Sequence, residues 1–393
     1  MKKLIPVVKQ MPKLIRDAGI SISNPFRIRR AKSTKKIKWL TFFVTNYCNA
    51  KCEHCFYWNE LNNREEEMSD EQITKTLTTI GSKLYSLRLS GGEPFLKKDR
   101  LINIFQVLNS KKLADKLSIP THGMLEILPT IDRMLSHQKN VELNVSVSLD
   151  GLEKRHNETR KIKNGFNRAI INLRELVKIQ NKNPQFEVSC SISLARQVVF
   201  PEQDGETSEV EQLIRFLRDD VGVKAIGYDH IRSAITDVHL LPEKINSNFQ
   251  PPPTSEEDPN NKHKRAGSVQ LDLDEMEEIN QMLMRIEGDL IDDLTVKRLQ
   301  KQVDIKRKKK RIVECMAGYV DGVLYPNGNV SICEFSKPFA NLSTYNYDFN
   351  ALWHGKEAES YRKLTSKCSC THPCHLSDSL AYDDEFLKAY LAN

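Results

Sequence analysis

From residue 38 to about residue 232 the chain alternates short strand patterns with amphipathic stretches of helical period, which restricts it to a parallel sheet flanked by helices. Strand patterns fall at 38–46, 85–90, 117–121, 141–150, 186–194 and 224–232, with helical patterns between them at 69–81, 99–112, 127–136, 165–180 and 208–221. Six strands are too few to close the eight-stranded barrel of the TIM type. The expected fold is therefore α/β: a partial (β/α)6 barrel over 38–240, followed by a small α+β unit over 313–380.

Alternation inside the strands says which side chains face the barrel interior. In Val141-Glu142-Leu143-Asn144-Val145-Ser146-Val147-Ser148-Leu149-Asp150 the odd positions are apolar and the even ones polar. One face packs under helices and the other lines a wet cavity. The 186–194 strand repeats the pattern, with Glu187, Ser189, Ser191 and Ser193 on the wet face and Cys190 on the apolar one, where it reads as a small buried hydrophobe.

Cys48, Cys52 and Cys55 follow the first strand with the spacing C-x3-C-x2-C. One loop carrying three thiolates can wrap a 4Fe-4S cubane and leave its fourth iron without a protein ligand. Such an iron can chelate a small molecule and pass an electron into it. Zinc competes, yet zinc ligands usually come as nearby C-x2-C pairs, and the next cysteine after Cys55 is Cys190. Disulfides need an oxidising compartment, and Met1-Lys2-Lys3-Leu4-Ile5-Pro6 lead into no long apolar run or cleavage site, so a cytoplasmic protein is expected.

The stretch Cys48-Asn49-Ala50-Lys51-Cys52-Glu53-His54-Cys55 resembles the hallmark of the radical S-adenosylmethionine (radical SAM) superfamily, with His54 where Tyr or Phe is commoner. Ser90-Gly91-Gly92-Glu93-Pro94, after the second strand, resembles its Gly-Gly-Glu motif. Pro120-Thr121-His122-Gly123 resembles its Thr-Asn-Gly, with His122 in place of Asn, and Ser148-Leu149-Asp150-Gly151 with His156 and Arg160 resembles a further stretch, with Asn157 in place of the usual acid. The resemblance implies a SAM-binding 4Fe-4S cluster on Cys48, Cys52 and Cys55, and S-adenosylmethionine held among His54, Gly91, Gly92, Glu93, Thr121, Ser148, Asp150 and Arg160. Glu93 would receive the methionine ammonium, Ser148 would lie near the ribose or carboxylate, and Arg160 would meet the carboxylate; a surface position for Arg160 is the alternative.

Five further thiols, Cys315, Cys333, Cys368, Cys370 and Cys374, lie within sixty residues, with the hairpin signal Pro326-Asn327-Gly328-Asn329 between the first two. This region resembles the SPASM or twitch extension of radical SAM enzymes and implies one auxiliary 4Fe-4S cluster. Which four thiols hold it stays open, with Cys370 and Cys374 favoured over Cys368, and zinc is the competing metal.

The remaining segments are a basic N-terminal extension (1–37), a polar Pro-rich insertion (241–270), a linking helix (271–312) whose Met and Leu stripe is packing, and a tail (381–393). The net charge of +7 comes largely from the N-terminal extension and the 306–311 run. Neither carries interleaved aromatics, which argues against nucleic acid. The extension is expected to dock along the barrel, with weak contact to an anionic membrane surface as the alternative. A fused leader-peptide recognition domain, as in many peptide-modifying relatives of the family the chain resembles, is not expected in so few residues, and a separate recognition protein could serve instead.

The implied activity is reductive cleavage of S-adenosylmethionine to a 5'-deoxyadenosyl radical, which takes hydrogen from a small-molecule biosynthetic intermediate. Electrons would come from an external one-electron donor such as flavodoxin or ferredoxin. Modification of a ribosomally made peptide is the second enzymatic reading, and a non-catalytic iron-sulfur or zinc scaffold is the third. Arg88, Tyr228, His230 and Arg232 are the candidate substrate contacts near the mouth.

Overall fold

In a computed structural model of the chain, residues 12–52, 54–199, 207–231, 271–365 and 371–391 are described. The 241–270 insertion, Arg232, Cys368 and Cys370 lie outside the described residues. Strands β1 (Trp39–Phe43), β2 (Leu84–Ser90), β3 (Ala114–Thr121), β4 (Glu142–Leu149), β5 (Phe186–Leu194) and β6 (Ala225–His230) pair in parallel, each with its neighbour in sequence. Leu143, Val145, Val147 and Leu149 are fully buried, as the alternation predicts, and so are Val188, Cys190, Ile192 and Leu194 on β5. The helices Asp70–Thr78, Lys98–Lys111, Leu128–Ser136 and Gly165–Gln180 supply the other half of that core through Leu77, Phe105, Ile131 and Leu173.

The open side of this partial barrel is closed by the C-terminal third of the chain. β7 (Asp321–Leu324) pairs in parallel with β1, from Trp39 opposite Asp321 to Phe42 opposite Leu324. β8 (Asn329–Ser331) and β9 (Ala340–Asn341) continue antiparallel, so the described strands form one nine-stranded sheet. The turn expected at 326–329 joins β7 to β8, but the hairpin extends the barrel sheet instead of standing apart from it. At the opposite edge, helix Asp293–Lys308 lies against β6, where Arg298 Nη2 donates to Tyr228 O at 2.6 Å. Helix Pro373–Leu380 follows Thr371, whose carbonyl accepts from Gln302 Nε2 at 2.8 Å.

Two expectations are corrected. The 271–312 segment is not one helix but two, Leu273–Glu287 and Asp293–Lys308. Gly288, with φ 52°, ends the first, and the Asp292 side chain caps the second by accepting from Thr295 N–H at 2.9 Å. The N-terminal extension, helical over Lys13–Thr34, rests on the C-terminal tail and not along the barrel: Asn24 Nδ2 donates to Tyr382 O at 2.7 Å and to Asp384 Oδ1 at 2.6 Å. Residues 1–11, with most of its apolar positions, lie outside the described residues. Among the described residues no helix is long and apolar enough to cross a membrane.

Trp353 anchors the seam between barrel and C-terminal segment. It is 2% exposed, stacks on Phe349 with centroids 5.6 Å apart, and donates Nε1–H to Lys35 O at 2.8 Å. Its ring fills the space above Gly322 of β7, where a Cβ would meet ring carbons at 2.8 Å. Trp353→Ala is expected to cost about 3–5 kcal/mol in urea unfolding of the metal-free protein. A loss below about 1 kcal/mol would show that the seam does not support the barrel.

Candidate active site

β1 delivers the Cys48 to Cys55 loop to the carboxyl end of the parallel sheet, where ligands of such sheets bind. The Gly91-Gly92-Glu93 turn after β2 lies against the start of this loop: Gly92 N–H donates to Thr45 O and Glu93 N–H to Tyr47 O, both at 2.8 Å. A Cβ on Gly92 would sit 2.0 Å from Tyr47 O, and Gly91 holds φ 134° with Thr45 O 2.3 Å from its own Cβ position. Only glycines allow backbones to approach this closely. Within the loop, Cys48 N–H donates to Asn62 Oδ1 at 3.1 Å, Cys55 N–H to Cys52 O at 3.2 Å, and Lys51 N–H to Arg160 O at 3.2 Å.

Burial pushes the Cys48 thiol up to about 12 and raises Cys52 and Cys55 as well, while the Arg160 guanidinium works the other way on all three. Cys48 and Cys52 also act on Cys55, so the three sulfurs share one neighbourhood. Three soft donors on one loop beside a cation are the donor chemistry that an iron-sulfur cubane with three protein ligands takes.

Glu93 is 1% exposed and its carboxylate is committed to protein donors. It accepts from Phe95 N–H (3.0 Å), Thr121 Oγ1 (2.8 Å) and His122 N–H (3.0 Å), which ties the end of β2 to the end of β3. His122 Nδ1 accepts from Met124 N–H at 3.0 Å, which leaves the proton on Nε2, 2.8 Å from Asn49 Oδ1. Burial lowers the His122 pKa, in keeping with this neutral tautomer. His122 therefore steadies the cysteine loop through Asn49.

Arg160 is 7% exposed, so it is not a surface residue. Its Nε donates to Asp150 Oδ2 at 2.6 Å, and His54 Nε2 lies 3.6 Å from the other Asp150 oxygen. Burial opposes the charged carboxylate, but Arg160, His54 and His156 hold it well below the usual range. His156 accepts from Asp150 N–H through Nδ1 at 3.3 Å, and burial pushes its pKa down to about 3.

Below these groups lies a cavity of about 470 Å³. Ser118, Asn144, Ser146, Ser148, Ser191 and Ser193 line it from the barrel strands, and Leu294, Phe335, Pro373 and Cys374 close it from the C-terminal side. Of the wet face read from the alternation of β4 and β5, Asn144, Ser146, Ser148, Ser191 and Ser193 are in this lining, whereas Asp150 pairs with Arg160, Glu187 with Lys116, and Ser189 accepts from Asn144 Nδ2 at 3.3 Å. Arg88 and His230 also line it. Tyr228 does not: it is fully buried on the helix side with its hydroxyl bonded to Glu287. The inward residue of β6 is Asp229, opposite Ser193 and paired with Arg298 at 2.7 Å. The same alternation, carried onto 224–232, would have found Asp229, whereas Arg298 has no local signal.

Two cysteine-bearing segments reach helix Pro373–Leu380, which itself carries Cys374. The Cys315 segment reaches it through Met316 N–H and Ser379 Oγ (3.1 Å), and the Cys333 segment through Glu334, which meets His372 Nε2 at 2.6 Å. Cys333 is buried and Cys315 and Cys374 are half-buried. His375 bonds Asp321 of β7. Among the described residues no three His, Cys, Asp or Glu side chains are already arranged as a metal site.

Residues 42–217 match the family model described as Radical SAM superfamily. The probable GTP 3',8-cyclase of Methanocaldococcus jannaschii is 30% identical over 150 residues, 35% of this chain and 47% of that protein. The pre-heme d1 synthase of Dinoroseobacter shibae is 26% identical over 210 residues, 53% of this chain and 46% of that protein. The matches thus span less than half the length of these curated relatives. Among solved structures, Streptococcus suis SuiB bound to precursor peptide SuiA aligns with a TM-score of 0.56 at 14% identity, covering 90% of this chain and 75% of that one. Native anSMEcpe with bound AdoMet and Cp18Cys peptide aligns at 0.53 and 15% identity, covering 90% and 97%. These two likenesses support the fold.

Asp150→Asn would leave the Arg160 guanidinium buried without its counter-charge. It is expected to cost about 3–5 kcal/mol in denaturant unfolding of the metal-free protein. An unchanged midpoint would show that the pair is solvated in solution.

Proposed function

We propose that this chain, whose residues 42–217 form a Radical SAM superfamily domain, starts radical chemistry on a hydroxyl-rich small-molecule intermediate. A 4Fe-4S cluster on Cys48, Cys52 and Cys55 would supply the electron and the open iron site for cleaving S-adenosylmethionine, giving the 5'-deoxyadenosyl radical that takes a substrate hydrogen atom. The observation that carries this reading is the placement of the cysteine loop above a serine-lined cavity walled by the C-terminal segment. His54 and Ser148 line that cavity beside Arg160 and are the proposed contacts of the adenosyl and methionine parts. Gly91, Gly92 and Glu93 hold the cysteine loop in place, with Thr121 fixing Glu93 and Asp150 fixing Arg160. Leu294, Phe335 and Pro373 exclude water from the radical's path.

Cys315, Cys333 and Cys374, with Cys368 or Cys370, are proposed to hold an auxiliary cluster that exchanges an electron with the substrate radical. The meeting of the Cys315 and Cys333 segments with the helix that carries Cys374 supports this, and Cys374 on the cavity wall would set the cluster beside the substrate. An external one-electron donor would serve the first cluster. A peptide substrate is the second reading. The same 470 Å³ must admit the adenosyl group, so a peptide would enter by a single side chain.

Anaerobic reconstitution is expected to load about eight irons per chain, and about four in a Cys48/Cys52/Cys55→Ala variant. Reduced wild-type protein with S-adenosylmethionine should yield 5'-deoxyadenosine, and the variant none. Zinc in place of iron, or a fully loaded protein that makes no deoxyadenosine, would leave the scaffold reading in its place.

A further inference from the structure

Three guanidinium groups reach the cavity, and they are not equivalent. Arg160 is paired with Asp150 at 2.6 Å and Arg298 with Asp229 at 2.7 Å. Arg88 has no carboxylate within ion-pair distance among the described residues; its one hydrogen bond there goes from Nη1 to Thr41 Oγ1 at 3.4 Å. The nearby carboxylates are otherwise engaged, Asp321 with His375, Asp378 with Asp321, and Glu334 with His372 at 2.6 Å. An arginine cannot shed its charge, so this half-buried guanidinium keeps a cation on the cavity wall. Its surroundings favour the charged form further, through Cys374 first and then Asp378, Glu334 and Asp321.

The neighbours of Arg88 supply donors. Thr41 stands opposite it on β1 and Ser118 opposite it on β3. Thr41 accepts from Arg88, which leaves its own hydroxyl proton to give. Ser90, two residues along the same face of β2, also lines the cavity, and its hydroxyl makes no hydrogen bond among the described residues. A planar guanidinium flanked by two hydroxyl donors matches the two oxygens of a carboxylate or phosphate.

We propose that Arg88, with Thr41 and Ser90, forms an oxyanion subsite, so that the substrate is an anionic, hydroxyl-rich small molecule carrying a carboxylate or phosphate. This rests on the reading of the cavity as a substrate site. It adds a charge requirement that a neutral sugar, a polyol or an uncharged peptide side chain does not meet. The remaining serines of β3, β4 and β5 would face the hydroxyls of the same molecule.

Isothermal titration of the reconstituted protein with S-adenosylmethionine present, at low ionic strength, tests this with D-gluconate, its neutral counterpart D-sorbitol, and inorganic phosphate. At least one anion should bind about tenfold or more tighter than sorbitol, the worth of one charge-assisted contact. Preference for gluconate over phosphate would identify a carboxylate, and the reverse a phosphate. Arg88→Met should erase the preference, Arg88→Lys should keep part of it, and Thr41→Val, which leaves the charge in place, should weaken anion binding several-fold. Equal binding of gluconate, phosphate and sorbitol, no measurable anion binding by the wild type, or a preference that survives Arg88→Met would overturn the proposal. So would a shifted reduction potential in Arg88→Met with anion binding intact, which would assign Arg88 to the neighbouring thiols. Binding needs no reductant, so anion selectivity without deoxyadenosine would sink the catalytic reading and leave the subsite standing.

Discussion

A six-stranded arc of parallel sheet exposes the backbone of two edge strands and the polar inside of a cavity. Much of the remaining molecule answers that constraint. β7 takes up the free edge of β1 through four register pairs, and helix Asp293–Lys308 covers β6, with Arg298 capping the Tyr228 carbonyl. The segment that carries the C-terminal cysteines is thus also the wall of the barrel. Its chemistry and its structural task cannot be separated, because removing it would open the cavity to water.

The interior is polar by design of the strand pattern, and its charges, that of Arg88 apart, are handled in pairs. Asp150 with Arg160, Asp229 with Arg298, and Glu334 with His372 each place opposite charges or a charge and an imidazole in contact, as burial requires. Such pairs add little net stability, since desolvation offsets attraction. Their effect is orientation: Arg160 is held where it acts on all three thiols of the loop, and Asp229 is held facing the cavity. Hydroxyls complete the lining at lower cost, because each can satisfy itself locally.

The periodic parts of the fold were legible in the sequence. Alternation in β4 and β5 assigned the buried and the wet faces residue by residue, down to Cys190 under the helices. The cysteine triad and the Gly91-Gly92 turn could be read because their chemistry is local. What escaped were features made by residues far apart in sequence. Nothing near Asp321 says that β7 will pair with β1, and nothing near Arg298 says that it will meet Asp229. The break at Gly288 was hidden inside a continuing apolar stripe, where a single glycine at positive φ outweighed the periodicity. Glu93 was legible as a residue of the turn, but its burial among Thr121 and His122 depends on how two strand ends meet.

The pairing of Trp39 with Asp321 joins points far apart in a chain of 393 residues. During synthesis the barrel strands leave the ribosome first, and the edge of β1 waits for its partner until the last part of the sequence has been made. Until then the Cys48 loop and the serine-lined interior face solvent together. Closure by β7 and the Pro373–Leu380 helix is a high contact-order event, slow compared with the local hairpins and helices. The order of assembly therefore gives the nascent chain an interval in which bulky inorganic cargo can reach the inside of the barrel, before the last strand turns an open trough into a chamber.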